Sequence, residues 1–281
     1  MALTRRQFLA AAAGSALAAG AGTLYYAHRI EPTWVKVRHC PMPIPGLPAS
    51  LAGKTVVQIS DLHSGPEVPA DYLSGCLDRV AALQPDILAL TGDFVSYVGD
   101  DQFEEFGRIL KHLKPAALAT VAVLGNHDYG HLWGHAEVAE QVVEQLAGAG
   151  VRVLRNESIQ VAGLTIGGVD DLWANRFDLA IALRSYVPGS PGLMLCHNPD
   201  GCDLPGWESY HGWILSGHTH GGQCKPPFLK PPFLPVRNRR YVAGHIPLPP
   251  RRHLYINPGL GYLFKARFNM RPEITRFTLS A

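Results

Sequence analysis

The stretch KTVVQISDLHSG (54–65) joins a short β-branched run to two chemically useful side chains, Asp61 and His63. Val, Ile and Thr favour extended backbone, so 54–60 reads as a strand and the polar cluster as the loop at its carboxyl end. The pattern recurs down the chain. DILAL (86–90) runs into TGDF, ALATVAVL (117–124) into GNHD, GLMLC (192–196) into HNPD, and GWILS (212–216) into GHTH. Between and around these runs, 71–84, 101–113, 136–149 and 176–185 read as helices, with Pro85 and Pro115 as stops. Further short strands fit 151–154, 158–161, 164–169, 253–256 and 273–279. Strand–helix alternation followed by a strand-rich half predicts an α/β fold. No repeat of solenoid period breaks it up.

The 281 residues suffice for one large core. Charged residues are 17% against 47% hydrophobic, which excludes a disordered chain. A net charge of +2 gives no general affinity for nucleic acid. The five cysteines show no CxxC spacing, so no disulfide framework is expected and most should be buried. Residues 1–30 stand apart. TRRQFL (4–9) matches a twin-arginine export pattern, and Phe8 to Ala27 carries no charge. At about 1.5 Å per residue that run just spans a bilayer's hydrocarbon layer. Residues 1–30 therefore read as a twin-arginine signal or membrane anchor, with Ala16-Leu17-Ala18 as an available cleavage site. Residues 31–53, rich in proline, read as an extended lead-in, and 54–281 as one folded domain. The expected location is the cell envelope, exported or membrane-anchored, with a cytoplasm-facing anchor as the other arrangement.

In open α/β sheets ligands bind beyond the carboxyl ends of the strands. Those loops here hold Asp61, His63, Asp93, Asn126, His127, Asp128, His197, His218 and His220. In extended chain, residues two apart share a face. Asp61 should thus point with His63, and His218 with His220, leaving Thr219 turned away and tolerant of substitution. Gly92, Gly125, Gly217, Gly221 and Gly222 permit tight turns and close backbone approach. Imidazoles, carboxylates and one amide oxygen suit Mn, Fe or Zn. Seven ligands exceed what one tetrahedral ion needs and suit two ions sharing a carboxylate. A lone Asp-x-His is usually a surface turn; such residues at five strand ends in succession are not.

The blocks DLH, GDF, GNHD, CHNP and GHTHGG, in that order, resemble the calcineurin-like metallophosphoesterases over roughly 54–281. GVDDLWA, HNPD, GHTHGGQ, RYVAG and RPEIT resemble more narrowly the bacterial YaeI/YkuE-type phosphodiesterases, which also tend to carry an export signal or anchor. The resemblance implies a four-layer αββα sandwich and a two-metal site. Asp61, His63 and His220 would bind the first ion, Asn126, His197 and His218 the second, and Asp93 would bridge them. Mn2+ is the first choice, with Fe, Zn or Mg also possible. His127 would stand beside the metals as the catalytic acid, with Asp128 bonded to it and favouring its protonated form. Many relatives carry an acid where this chain has Ser96, which predicts a changed hydrogen-bond pattern in that loop.

The implied chemistry is hydrolysis of a phosphodiester or phosphoanhydride, in which paired divalent ions neutralise the phosphoryl oxygens and acidify a water. Some relatives cleave UDP-2,3-diacylglucosamine in lipid A synthesis, which makes a nucleotide–lipid one expected substrate and another cell-envelope phosphodiester the alternative. A scaffold without turnover is the contrasting class; the complete ligand set argues against it. Roles for His131, His135, Asp170 and Asp171 stay open. Residues 225–271 contain ten Lys or Arg and no acid. With residues 1–30, this stretch is expected to meet an anionic membrane or an amphiphilic substrate, against the plainer reading of a solvated basic loop.

Overall fold

The computed structural model describes residues 4–96, 99 and 101–281, so the first three residues of the expected signal segment lie outside it. A capped helix α1 (Arg5–Tyr25) leads through a wide π turn (Tyr26–Ile30) and a tight 3-10 turn (Glu31–Thr33) into strand β1 (Lys36–Pro43). There follow β2 (Thr55–Ile59), α2 (Ala70–Ala82), β3 (Ile87–Thr91), α3 (Asp101–Leu110), β4 (Ala119–Val123) and α4 (Ala136–Gly148). Next come β5 (Arg152–Val153), β6 (Glu157–Val161), β7 (Leu164–Gly168), α5 (Leu179–Ala182), β8 (Gly192–Leu195) and β9 (Trp213–Ser216). The chain closes with β10 (Gly244–Leu248), β11 (Arg252–Ile256) and β12 (Glu273–Ser280).

These strands form two six-stranded sheets, ordered β1-β12-β2-β3-β4-β5 and β10-β11-β9-β8-β7-β6. Apolar residues alternate between two destinations because a strand's side chains alternate between faces. Val56, Ile87, Ala89, Val121 and Val123 of the first sheet meet Leu164, Ile166, Leu193, Leu195 and Leu215 of the second. Val57, Ile59, Leu88, Leu90 and Ala122 point the other way, onto Leu73, Leu77, Phe106, Val142 and Leu146 of the helices. The second sheet's outer face, with Met194, Ile214 and Ile256, is covered by Trp207, Tyr210 and Tyr241. The central strands of both sheets are buried on both faces, which is why they read as unbroken apolar runs. The result is a four-layer αββα sandwich whose fourth layer is mostly turns and short helices.

Two expectations change here. The lead-in is not merely extended: β1 pairs in parallel with β12, Lys36 beside Glu273 through Pro43 beside Ser280. It is an edge strand, where Pro41 and Pro43 cost no ladder hydrogen bonds. The helix expected over 176–185 is only the single turn of α5. Asn175 has φ 57°, and the Asp178 carboxylate accepts from Ile181 N, so the helix starts after both. The chain is turning again by Arg184 and Tyr186.

Register sets the site. Ile59 lies beside Leu90, and Thr91 beside Val123, so the loops after β2, β3 and β4 leave at one level. Leu195 lies beside Leu215 in the second sheet. The two carboxyl edges are stitched together by Gln58 Nε2 donating to the Ser216 carbonyl at 2.9 Å.

Candidate metal centre

Five side chains of the cluster sit on backbone that L-residues rarely adopt. Asp61 has φ 51°, His63 48°, Asp93 54°, His218 69° and His220 49°. Strand pleating is therefore not what aims them. Left-handed residues turn each loop sharply as it leaves its strand, and such strain gathers at functional sites. Glycine makes room between the loops. A methyl on Gly125 would strike the Asp93 carboxylate and the His197 ring, and one on Gly217 would strike Ser60 and Asp61.

The turns bring the ligand atoms into overlapping groups: Asp61, His63 and His220; His63, Asp93 and His127; Asp93, His197 and His218. Asp93 Oδ2 is 3.6 Å from His63 Nε2 and 3.1 Å from His197 Nε2. His220 Nε2 is 3.5 Å from Asp61 Oδ1 and 3.0 Å from His63 Nε2. His218 thus falls with Asp93 and His197, and His220 with Asp61 and His63, although only Thr219 separates them. Asn126 is completely buried on the loop after β4, and neither its Oδ1 nor its Nδ2 has a hydrogen-bond partner. His197 Nε2, despite its closeness to Asp93, makes no aligned hydrogen bond either. Buried polar atoms are normally satisfied. Orphaned nitrogen and oxygen atoms on the same strand-end loops as buried carboxylates are a donor set that fits divalent cations.

The remaining ring nitrogens are held from behind, which fixes which nitrogen faces inward. His197 Nδ1 meets the Thr91 carbonyl at 2.6 Å. His63 Nδ1 meets Ser96 Oγ at 2.8 Å, so Ser96 makes a specific contact to the cluster. His218 Nε2 meets the Pro235 carbonyl at 2.9 Å, which leaves Nδ1 for the centre. His127 is half-buried, its ring edge-on to His63 at 4.9 Å, and its backbone amide donates to Asp93 Oδ1 at 2.9 Å.

Burial pushes His63 and His218 down to about 3, leaving neutral imidazoles ready to donate lone pairs. Burial also opposes charge on His197, but Asp93 and Asp61 outweigh it and lift the ring to about 10. Asp93 is in turn held well below the carboxylate range, against its burial, by His197 and His127. Asp61 is raised to about 7, chiefly by burial.

Two expectations fail. Asp128 does not meet His127. Its Oδ1 accepts from the amides of Phe94 (2.7 Å) and Val95 (3.3 Å), and its Oδ2 from those of Gly125 (2.8 Å) and Asp93 (2.9 Å). The carboxylate ties the β3 loop to the β4 loop and orients Asp93. Thr219 is not turned to solvent. It is buried, donating to the Val242 carbonyl and accepting from Gly221 N, because its backbone is helical and not extended.

Of the residues left open, Asp170 is engaged by Tyr129 and Arg155. Asp171 is buried, with Oδ2 unpartnered, and its carboxyl is raised to about 6 by burial while His197 pulls it down, which places it near the cluster. His131 is exposed, and exposed His135 pairs with Glu137, so neither joins the ligand groups. Sequence reading missed Trp173, edge-on to His218 at 4.4 Å, and the fully buried Arg267, 3.5 Å from His220 Nδ1. Trp173 lies in the GVDDLWA block, which assigns it no role, and no motif marks Arg267.

A two-sheet α/β sandwich carrying a histidine–carboxylate centre at its strand ends defines a metal-binding hydrolase. The calcineurin-like phosphoesterase model matches residues 54–222, and the chain belongs to that family. It is 33% identical to phosphodiesterase YaeI of Escherichia coli (strain K12) over 99% of both chains. It is 30% identical to the UDP-2,3-diacylglucosamine pyrophosphatase LpxG of Chlamydia muridarum, over 90% of this chain and 91% of that one. It is 29% identical to the metallophosphoesterase YkuE of Bacillus subtilis (strain 168), over 99% and 98%.

Proposed function

We propose that the protein is a two-metal phosphodiesterase or pyrophosphatase of the cell envelope. Asp61, His63 and His220 are assigned to one divalent ion, Asn126, His197 and His218 to a second, and Asp93 to both. When bound, the ions would supply charge neutralisation at the phosphoryl group and an acidified water. The observation that carries this reading is the buried Asn126 carboxamide, left without any partner on the loop after β4, next to His127 and Asp128. A buried carboxamide with neither atom paired calls for a partner, and a cation would supply one.

His127 is the residue free to act on the substrate. Its ring is held beside His63 and is only partly buried, unlike the other histidines of the cluster, so it can give a proton to the leaving oxygen. Mn2+ is the proposed native ion. The substrate reading follows the relative named for UDP-2,3-diacylglucosamine: a phosphoanhydride or diester bearing an apolar part, with another envelope phosphodiester as its competitor. Residues 4–9 are proposed as the twin-arginine export signal, and α1, exposed along its length, as a membrane anchor.

The test is hydrolysis of bis(p-nitrophenyl) phosphate after Mn2+ addition and after EDTA. A panel of monoester, cyclic nucleotide and UDP-2,3-diacylglucosamine accompanies it. Metal-dependent diester cleavage is expected. Absence of any metal-dependent turnover sinks the enzyme assignment, and turnover of the diester without the nucleotide–lipid sinks the substrate.

A further inference from the structure

The metal centre opens beside an apolar, basic face that the fold leaves uncovered. Phe228 is fully exposed, and Leu229, Phe233, Leu263 and Phe264 are also exposed. A closed core does not account for five such side chains in two neighbouring loops, and a contiguous patch of this kind marks an interaction surface. The loops are one unit. Gln223 Nε2 donates to the carbonyls of Phe264 and Ala266, and its Oε1 accepts from Leu263 N. Arg239 folds back to hold the carbonyls of Pro231 and Leu234. Lys230 and Lys265 project from the same loops into solvent.

The same unit grips the foot of α1. Arg267 N donates to the Ala27 carbonyl, and His28 Nδ1 meets the Lys265 carbonyl at 2.6 Å. The buried Glu31 carboxylate accepts from the amides of Asn269 and Met270. Arg271 stacks on the exposed Trp34 ring at 3.8 Å. The helix is therefore not a loose tether. It leaves the domain at a fixed point, amid Tyr25, Tyr26 and Trp34, the aromatic residues that settle at a membrane–water boundary.

We propose that loops 225–235 and 262–265, together with the foot of α1, form a surface that enters the interface of an anionic lipid bilayer. Three observations select that occupant. The long apolar helix starts from this surface, exposed apolar tips alternate with lysines, and residues 225–271 hold no acid that would repel lipid phosphates. The surface also runs into the metal centre. A narrow cleft of about 10 Å³, room for roughly one water, is lined in part by His220, Gly222, Phe233, Leu263 and Phe264 and joins the two. Seated on lipid, the His220 side of the centre faces the bilayer, and an amphiphilic substrate reaches it with its apolar part still in or near the membrane. That use rests on the phosphodiesterase reading; the lipid contact itself does not.

The experiment is hydrogen exchange on the full chain reconstituted into vesicles of phosphatidylcholine alone or with phosphatidylglycerol. Peptides covering 225–235 and 262–266 are expected to exchange about tenfold more slowly on the anionic vesicles. The pair Lys230→Glu with Lys265→Glu should return them to the rate on neutral vesicles, and Phe228→Ser with Phe264→Ser should remove the protection altogether. All four side chains are exposed, so the fold tolerates the changes. Equal exchange on both vesicle types, or protection that the lysine pair leaves intact, overturns the proposal. Turnover of a water-soluble diester, measured alongside, reports on the catalytic reading separately.

Discussion

Replacing Asp128 with Asn tests whether this carboxylate builds the site or serves His127. Each of its oxygens accepts two backbone amides, and the side chain is fully buried. Asn keeps the shape and one acceptor oxygen but turns an NH2 toward two N–H donors. Two buried amides then lose their acceptor, at about 1–3 kcal/mol each, so the metal-free protein should lose about 2–6 kcal/mol. For a domain of this size that is a fall of roughly 5–20 °C in Tm. The lost bonds fix the Asp93 loop, so metal affinity should drop by about 10–100-fold as well. The assay is a thermal melt of the metal-free variant, with metal titration of the folded protein. If Asp128→Asn left both Tm and metal affinity unchanged and moved only the pH dependence of turnover, the carboxylate would be serving His127 after all.

His127→Ala should lower diester turnover by about 10²–10⁴-fold with the metal content unchanged, because its ring is assigned to the substrate and not to an ion; wild-type turnover on a poor leaving group would refute that. Asp93→Ala should empty or scramble both sites, and elemental analysis finding two tightly held ions in that variant would refute the bridge. Ser96→Ala frees His63 Nδ1 and should weaken metal binding by about tenfold, read by calorimetry, with little change in fold. Metal affinity should also rise with pH. His197, raised to about 10, carries a proton at neutrality that an incoming ion must displace, and Asp61, near 7, carries another below that pH. Affinity should climb about tenfold per pH unit for each displaced proton, and calorimetry in buffers of different ionisation enthalpy should detect the release. A flat affinity between pH 6 and 8.5, roughly the window where these protons compete, would contradict this.

Much of this was legible because strands buried on both faces leave a signal that needs no alternation. TVVQI, ILALT and WILS announce themselves, and each is followed at once by its polar cluster. Two of the four edge strands, β1 and β10, were not legible. β1 contains two prolines and β10 one, residues that an edge tolerates but that a strand pattern forbids. The short α5 was over-read because helical spacing does not reveal that Asn175 is left-handed. Side chains that hold the cluster from outside were less legible for another reason. Ser96 showed only as a departure from the resemblance, Trp173 only as part of the GVDDLWA block and Arg267 not at all, because their partners are carbonyls, a ring edge and a histidine far off in sequence.

The misreading of Thr219 explains how the centre is made. Extended backbone would have put His218 and His220 on one face, serving one group. Their positive φ angles instead divide them between His197 and His63, and the same twist occurs at Asp61, His63 and Asp93. Left-handed backbone costs roughly 1–2 kcal/mol at each non-glycine residue, so five such residues store roughly 5–10 kcal/mol. That is comparable to the whole stability of a typical domain. The strain persists because neighbouring groups hold each turn: Asp128 on the Asp93 loop, Asp61 on the His218 amide, Thr219 on Gly221. Sequence motifs name the ligands, but the arrangement depends on these ties, and a variant that keeps every ligand while cutting one tie should lose the geometry.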